Sequence, residues 1–402
     1  MKILIKNGRV IDPASGRDEV TEVAIAAGRI VGIGRTPTDF HPNRTLDAAG
    51  CIVAPGLVDL AARLREPGQE QKGMLESELN AAAAGGVTSL VCPPDTDPAL
   101  DEPGLVEMLK FRARKLSLCR LFPLGALTRG LKGETLTEMV ELTEAGCVGF
   151  SQAEVAVKDT LVLQRAMLYA ATYGYTVWLR PQDYWLGKGV AASGGVATRM
   201  GLSGVPVAAE TIALHTIFEL MRSTGARVHL CRLSSAAGVE LLRRAKAEGL
   251  PVTADVSINS LHLTENDIGF FDSRARLTPP LRQQRDRDAL SAARLDGTPA
   301  ALAPDPTIDA LVSDHTPVEG DAKTLPFAEA EPGATGLELL LSMALKWGAD
   351  VGLSLPATLA RVTSEPVRVL GDALGSLSSS AGRLVEGGVA DVCVFDPDAL
   401  WP

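Results

Sequence analysis

Between residues 53 and 362, short runs of consecutive apolar residues alternate with stretches whose apolar positions recur every three or four residues. The first kind suits strands buried on both faces of a parallel sheet, and the second suits helices packed against them. The pattern predicts strands over 56–64, 87–92, 147–150, 227–233, 251–256 and 308–314, and helices over 76–84, 136–145, 211–224 and 236–248. Outside this region the period changes to short strands broken by turn dipeptides. Asn7-Gly8 and Gly28-Arg29 punctuate residues 2–12 and 20–34, and residues 382–396 read as strand, turn, strand. The chain therefore reads as repeated β/α units flanked by small antiparallel hairpins at both ends.

Composition narrows the function classes. The 402 residues are 46% hydrophobic, with mean hydropathy +0.13, which describes a globular chain with ample core. A net charge of -10 argues against nucleic-acid or anionic-membrane binding, both of which favour a basic face. No apolar run reaches ~18 residues, and the first residues lack the apolar core of a signal peptide. The 6 cysteines are scattered with no Cys-x-x-Cys spacing, so they read as reduced thiols of a cytoplasmic protein. Only 5 histidines occur, few for a histidine-rich dinuclear metal site.

The chemistry centres on residues 53–68, an apolar strand running into a turn closed by Pro67-Gly68. This stretch resembles the first barrel strand of the amidohydrolase superfamily, and Leu64-Arg65-Glu66-Pro67-Gly68 resembles dihydroorotase in particular. The resemblance implies a TIM-type (β/α)8 barrel over 53–362, with a flanking β-sandwich built from 1–52 and 363–402. In that fold functional residues sit at the C-terminal ends of the strands. The family continues through a further segment beyond the place where this chain ends, at Trp401-Pro402.

Each strand end departs from the family pattern. The two metal-binding histidines of the first strand are replaced by Ala61 and Arg63. Cys92-Pro-Pro-Asp95 carries Asp95 where the family has a substrate-contacting Asn, and Gln152 and Ala153 stand where the fourth strand supplies acids. Arg180 and Arg232 replace the ligands of strands five and six, leaving Asp314 as the one metal-ligand position retained. A guanidinium cannot ligate a metal, and one carboxylate does not make a zinc site. The resemblance thus implies no zinc and no catalytic residue, with Asp314 vestigial.

Several residues carry expectations of their own. Arg65 matches the arginine that binds the substrate carboxylate, or else forms a structural ion pair. Arg63, Arg180 and Arg232 are expected to converge on Asp314, so that Asp314→Ala costs roughly 3–5 kcal/mol and surplus positive charge holds a small anion in the barrel mouth. Strand alternation counted back from Arg232 turns Cys231 and His229 towards the helices, as an inert thiol and a structural histidine. His315 is expected to hydrogen-bond within the barrel. Asp95, Glu154, Asp183 and Asp314 form an unfavoured alternative, an oxygen-rich Mg²⁺ or Ca²⁺ site, given the arginines beside them.

Three functions compete. The resemblance to inactive dihydroorotase-like chains implies a homo-oligomeric structural or regulatory subunit for the aspartate carbamoyltransferase catalytic chain in pyrimidine biosynthesis. The alternatives are an active dihydroorotase or other cyclic amidohydrolase with a rebuilt site, and a non-catalytic sensor of a pyrimidine-like anion built on Arg65. Fold resemblance alone does not choose among them.

Overall fold

The computed structural model describes residues 1–292 and 307–399; residues 293–306 of the predicted barrel and 400–402 of the predicted sandwich segment lie outside them. The chain begins with β1 (Lys2–Asp12), β2 (Arg17–Ala26), β3 (Arg29–Ile33), β4 (Arg44–Asp47) and β5 (Ile52–Pro55). These join one six-stranded sheet in which β1 pairs antiparallel with β2 and parallel with β4 and β5. Its buried side holds Val10, Val23, Ile25, Ile30, Val53 and Leu384.

The barrel follows. β6 (Leu57–Asp59), β7 (Val87–Cys92), β8 (Arg120–Pro123) with its continuation β9 (Gly125–Ala126), β10 (Phe150–Ser151) and β11 (Thr176–Leu179) are its first five strands. A two-strand excursion, β12 (Ala191–Ala192) and β13 (Gly204–Val205), precedes β14 (Arg227–Leu230), β15 (Val252–Ser257) and β16 (Ala310–Val312). Neighbouring barrel strands pair in parallel, and a bridge between Ala62 and His315 joins the first strand to the last. Buried Asp59 strengthens this closure by accepting the Ser313 N–H at 3.1 Å. Among the connecting helices are α1 (Leu75–Ala84), α2 (Pro103–Leu116), α3 (Met139–Ala145), α4 (Thr160–Tyr173), α5 (Gly195–Met200), α6 (Val207–Thr224) and α7 (Ala236–Ala247).

Two differences from the sequence reading matter. The segment 382–396 contributes one strand, β17 (Val392–Phe395), antiparallel to β5, while Val389 makes only an isolated bridge to Arg29. Gly382 and Gly387, with φ of 63° and 83°, bend the preceding chain into turns instead of a second strand. The helix Ser364–Leu370 also packs Val367 and Leu370 beneath Val58, Leu124 and Trp178, so it caps the barrel floor.

Candidate functional site: an arginine–carboxylate cluster at the barrel mouth

The strand ends position the site through local hydrogen bonds. Buried Glu210 of α6 accepts the N–H groups of Ser234 and Ser235 at 2.9 and 3.0 Å, and the Ser235 hydroxyl caps α7. Those bonds fix the turn just beyond Arg232. Arg65, Ala153, Arg232 and Asp314 all have φ between 50° and 63°. Left-handed backbone is uncommon for residues with a Cβ, and here it lies at four strand ends facing one mouth.

The three arginines do converge, but their centre is Glu154. Arg63 Nη2 donates to Glu154 Oε1 at 2.7 Å, Arg232 Nη2 donates to the same oxygen, and Arg180 Nε lies 2.5 Å from Oε2. Arg63 Nε also donates to Asp95 Oδ2 at 2.8 Å and its Nη1 to Thr316 Oγ1 at 3.1 Å. Asp314 accepts from Arg232 Nη1 at 3.1 Å and lies 3.9 Å from Arg63. The expectation that Asp314 bonds at least one arginine is met, while its place as the hub passes to Glu154.

Electrostatics separate the two carboxylates. Burial pushes Glu154 up, but Arg232, Arg180 and Arg63 outweigh it and hold its carboxyl well below the ordinary range. At Asp314 burial wins: helped by the charge of Glu154, it pushes the carboxyl up to about 6 against the pull of Arg232 and Arg63. The difference follows from the number of ion-pair partners, three guanidinium groups against one close one.

The remaining predicted residues divide. Asp95 belongs to the cluster through Arg63, whereas Asp183 does not, because its carboxylate caps the N–H groups of Trp185 and Leu186 at 3.0 and 2.8 Å. Gln152 turns aside to Thr128 and Leu131. Arg65 is buried and donates to the Pro317 carbonyl at 2.7 Å and to Gln69 at 3.3 Å. No carboxylate among the described residues lies within ion-pair distance of it, so the structural ion pair does not form. Arg63, Arg65, Asp95, Glu154, Arg232 and Asp314 line one cavity of about 220 Å³, joined by Asn259, Thr278 and Thr316.

Two orientations correct the alternation argument. Strand β14 ends at Leu230, and Arg232 has φ 54°, so parity counted back from it is lost. Cys231 packs with the barrel-interior cluster around Trp178, and the His229 ring lies 4.3 Å from that indole. His229 is nevertheless the satisfied structural histidine expected, bonded to Thr253 at 2.8 Å and Asp255 at 2.9 Å. His315 points outward, with Nε2 2.5 Å from Glu78 of α1 and Nδ1 accepting the Gly336 N–H.

These residues do not fit a zinc pair. Guanidinium groups occupy three former ligand positions, and Asp314 is committed to Arg232. Among the described residues, His229, Cys231 and Asp255 are the one group whose ligand atoms gather closely. Both His229 nitrogens are already engaged, and Asp255 Oδ1 accepts the Arg232 N–H at 2.6 Å.

Comparison with known proteins now decides the family. The profile of the dihydro-orotase-like family matches residues 50–237. A dihydroorotase-like protein of Pseudomonas aeruginosa is 45% identical over 398 residues, covering 99% of this chain and 90% of the relative. The chain belongs to the dihydroorotase family. A dihydroorotase of Geobacter sp. is 37% identical over 402 residues, covering 100% of this chain and 91% of its own. The amidohydrolase barrel is seen again in L-hydantoinase (dihydropyrimidinase) from Arthrobacter aurescens, with TM-score 0.82 at 23% identity over 97% of this chain and 86% of that one. Sequence reasoning under-used Glu154, although charge balance pointed to it. Three arginines at one mouth need acids, and Glu154 follows the altered Gln152-Ala153 pair directly.

Proposed function

We propose that this member of the dihydroorotase family is catalytically inactive and serves as a structural or regulatory subunit of aspartate carbamoyltransferase in pyrimidine biosynthesis. The observation carrying the reading is Glu154, which gathers Arg63, Arg180 and Arg232 where the family places metal ligands. Hydrolysis of a cyclic amide in this family draws on metal-acidified water and a polarised carbonyl. Arg63 and Arg232 are tied to carboxylates and cannot serve as general bases, because a guanidinium does not lose its proton at working pH. A whole barrel kept after its chemistry is lost suits a part whose surface is its function.

The tests are metal analysis with a dihydroorotase assay, and co-assembly. Purified protein is expected to hold no stoichiometric zinc and to show no turnover with or without added zinc. Mixed at micromolar concentrations with the host's carbamoyltransferase catalytic chain, it is expected to co-elute on gel filtration. Chelator-sensitive turnover at ordinary enzyme rates defeats the first part, and separate elution with an unaltered catalytic trimer defeats the second. Buried Arg65, with its neutral partners on the 220 Å³ cavity, favours a second reading, a sensor of a pyrimidine-like anion. Isothermal titration with dihydroorotate tests it.

A further inference from the structure

The loop that follows β15 holds an aromatic tip out from the mouth end of the barrel. Its last part, Leu277 and Thr278, lines the mouth cavity. Earlier in it, Gly269 and Phe271 have φ of 54° and 58° and fold the chain into a tight tip. On that tip Phe270 is 94% exposed and Phe271 is 41% exposed. Left-handed backbone is uncommon for a bulky residue, so the conformation of Phe271 is set by what surrounds it. The surroundings form a braced base. The Asp272 N–H donates to the Ile268 carbonyl at 2.9 Å, and Ile268 is buried in a small apolar cluster with Ala191, Val196 and Phe327. Lys323, on the loop after β16, donates from Nζ to the Ser273 and Arg276 carbonyls at 3.1 and 3.0 Å. The two phenyl rings meet edge to face with centroids 5.6 Å apart. Scattered exposed apolar residues are ordinary, but a phenyl ring held almost wholly in water on a restrained tip does little for the isolated fold.

We propose that the Phe270–Phe271 tip is a knob that seats in an apolar socket, edged by basic side chains, on the catalytic chain of aspartate carbamoyltransferase. This rests on the reading of the chain as a subunit of that enzyme and names a contact for it. Shape is the first argument. A two-fold contact between copies brings the same patch of each together, so it needs knob and socket side by side. The cavity beside the tip is lined instead by Arg63, Arg65, Asp95, Glu154, Arg232 and Asp314, and burying a phenyl ring against those groups would cost their solvation. The socket therefore belongs to a different chain. Charge is the second argument. Around the tip Asp272 pairs with Arg274 and Glu331 with Lys72. Asp267, Asp321 and Glu329 are exposed and form no ion pair, and half-buried Glu319 adds to them. Arg276 and Lys323 also lack a carboxylate within ion-pair distance among the described residues, but both are half-buried against the loop. Exposed Arg199 and Arg285 lie beside Glu265, at the start of the loop. The exposed charge next to the rings is thus negative, which complements lysine and arginine and turns the tip away from anionic lipid. Restraint is the third argument, since rings fixed before contact lose less freedom on binding and suit an anchor.

The experiment is surface plasmon resonance of the purified full chain over immobilised carbamoyltransferase catalytic trimer. The variants are Phe270→Ser, the double variant Asp321→Lys with Glu329→Lys and, as control, Phe111→Ser on α2. Phe111 is 64% exposed, so it tests whether losing any exposed phenyl ring gives the same effect. Phe270→Ser is expected to raise Kd at least ~10-fold with unchanged circular dichroism and melting temperature. The double lysine variant is expected to raise it about 5-fold at low salt, with the difference shrinking as salt is added. Phe111→Ser is expected to leave it unchanged. If the parent binds and Phe270→Ser binds equally well, the knob is wrong and the subunit reading stands. If the parent does not bind, the reading fails and the knob falls with it. Equal weakening by Phe111→Ser overturns the proposal, as does charge reversal without effect at low salt. Two further results assign the tip elsewhere and overturn it: self-association of the parent lost in Phe270→Ser by sedimentation equilibrium, or flotation with phosphatidylcholine vesicles lost in the same variant.

Discussion

Removing the negative charge of Glu154 is expected to cost more than removing that of Asp314, the reverse of the order suggested by which acid the family retains. Glu154→Gln leaves Arg63, Arg180 and Arg232 converging without the carboxylate that faces all three. Breaking a buried ion pair by deleting one partner costs about 3–5 kcal/mol. The Glu154 side chain keeps 31% of its surface accessible, and Asp95 still compensates Arg63, so the lower end, about 3 kcal/mol, applies. With an unfolding entropy near 2.1 cal/mol/K per residue, a chain of this length changes stability by roughly 0.8 kcal/mol per degree. The expected fall in melting temperature is therefore about 4 °C. Asp314→Asn removes one close ion pair but also the need to ionise a carboxyl that burial has raised to about 6, so its cost at pH 7 is expected below about 1 kcal/mol. The roughly 3–5 kcal/mol expected from sequence for losing this carboxylate is corrected, because Glu154 and not Asp314 holds the three arginines together. Scanning calorimetry of the two variants and the parent at pH 7 is the assay. An Asp314→Asn loss equal to or larger than that of Glu154→Gln refutes the assignment of Glu154 as the hub.

Other outcomes follow from the same groups. Glu154 has a lowered carboxyl, so its stabilisation is full above its unfolded value of 4.5 and is lost in acid; Glu154→Gln is expected to flatten the acid limb of a melting-temperature profile. Asp314 has the opposite sign: its native form holds a proton between the unfolded value of 3.8 and about 6, so stability falls as pH rises through that window. The melting temperature of Asp314→Asn minus that of the parent is expected to become more positive from pH 5 to pH 8, and a flat difference contradicts the raised carboxyl. His315→Ala, which strands Glu78 and the Gly336 N–H, is expected to cost about 1–3 kcal/mol by urea denaturation while leaving the mouth intact. Burial pushes the Cys92 and Cys147 thiols up to about 12 and Cys231 well above 9, so alkylation of native protein at pH 8 is expected to spare all three in a peptide map.

The barrel was legible because its strands are buried on both faces and its helices on one. Residues 87–92 coincide with β7, and the predicted helix over 236–248 falls within a residue of α7. Short strands were less legible. Predicted 147–150 shrinks to Phe150–Ser151, since a strand inside a barrel needs few ladder bonds once its neighbours hold it. At the mouth the sequence named the arginines but not their arrangement. Facing directions are set there by left-handed residues such as Ala153 and Arg232, which no strand periodicity encodes. Glu154 became the hub because the turn at Ala153 swings it inward while Gln152 is held by Thr128 and Leu131.

The sharing of Glu154 by three arginines also bears on ancestry. Returning Arg63 alone to histidine would take a cation from Glu154 and Asp95 while Arg180 and Arg232 still filled the space a metal needs. That single change is expected to lower stability without clearing space for a metal. If hydrolysis has been lost as proposed, rebuilding a metal site would require several coordinated changes at once, so the interlocked salt bridges would act as an evolutionary ratchet.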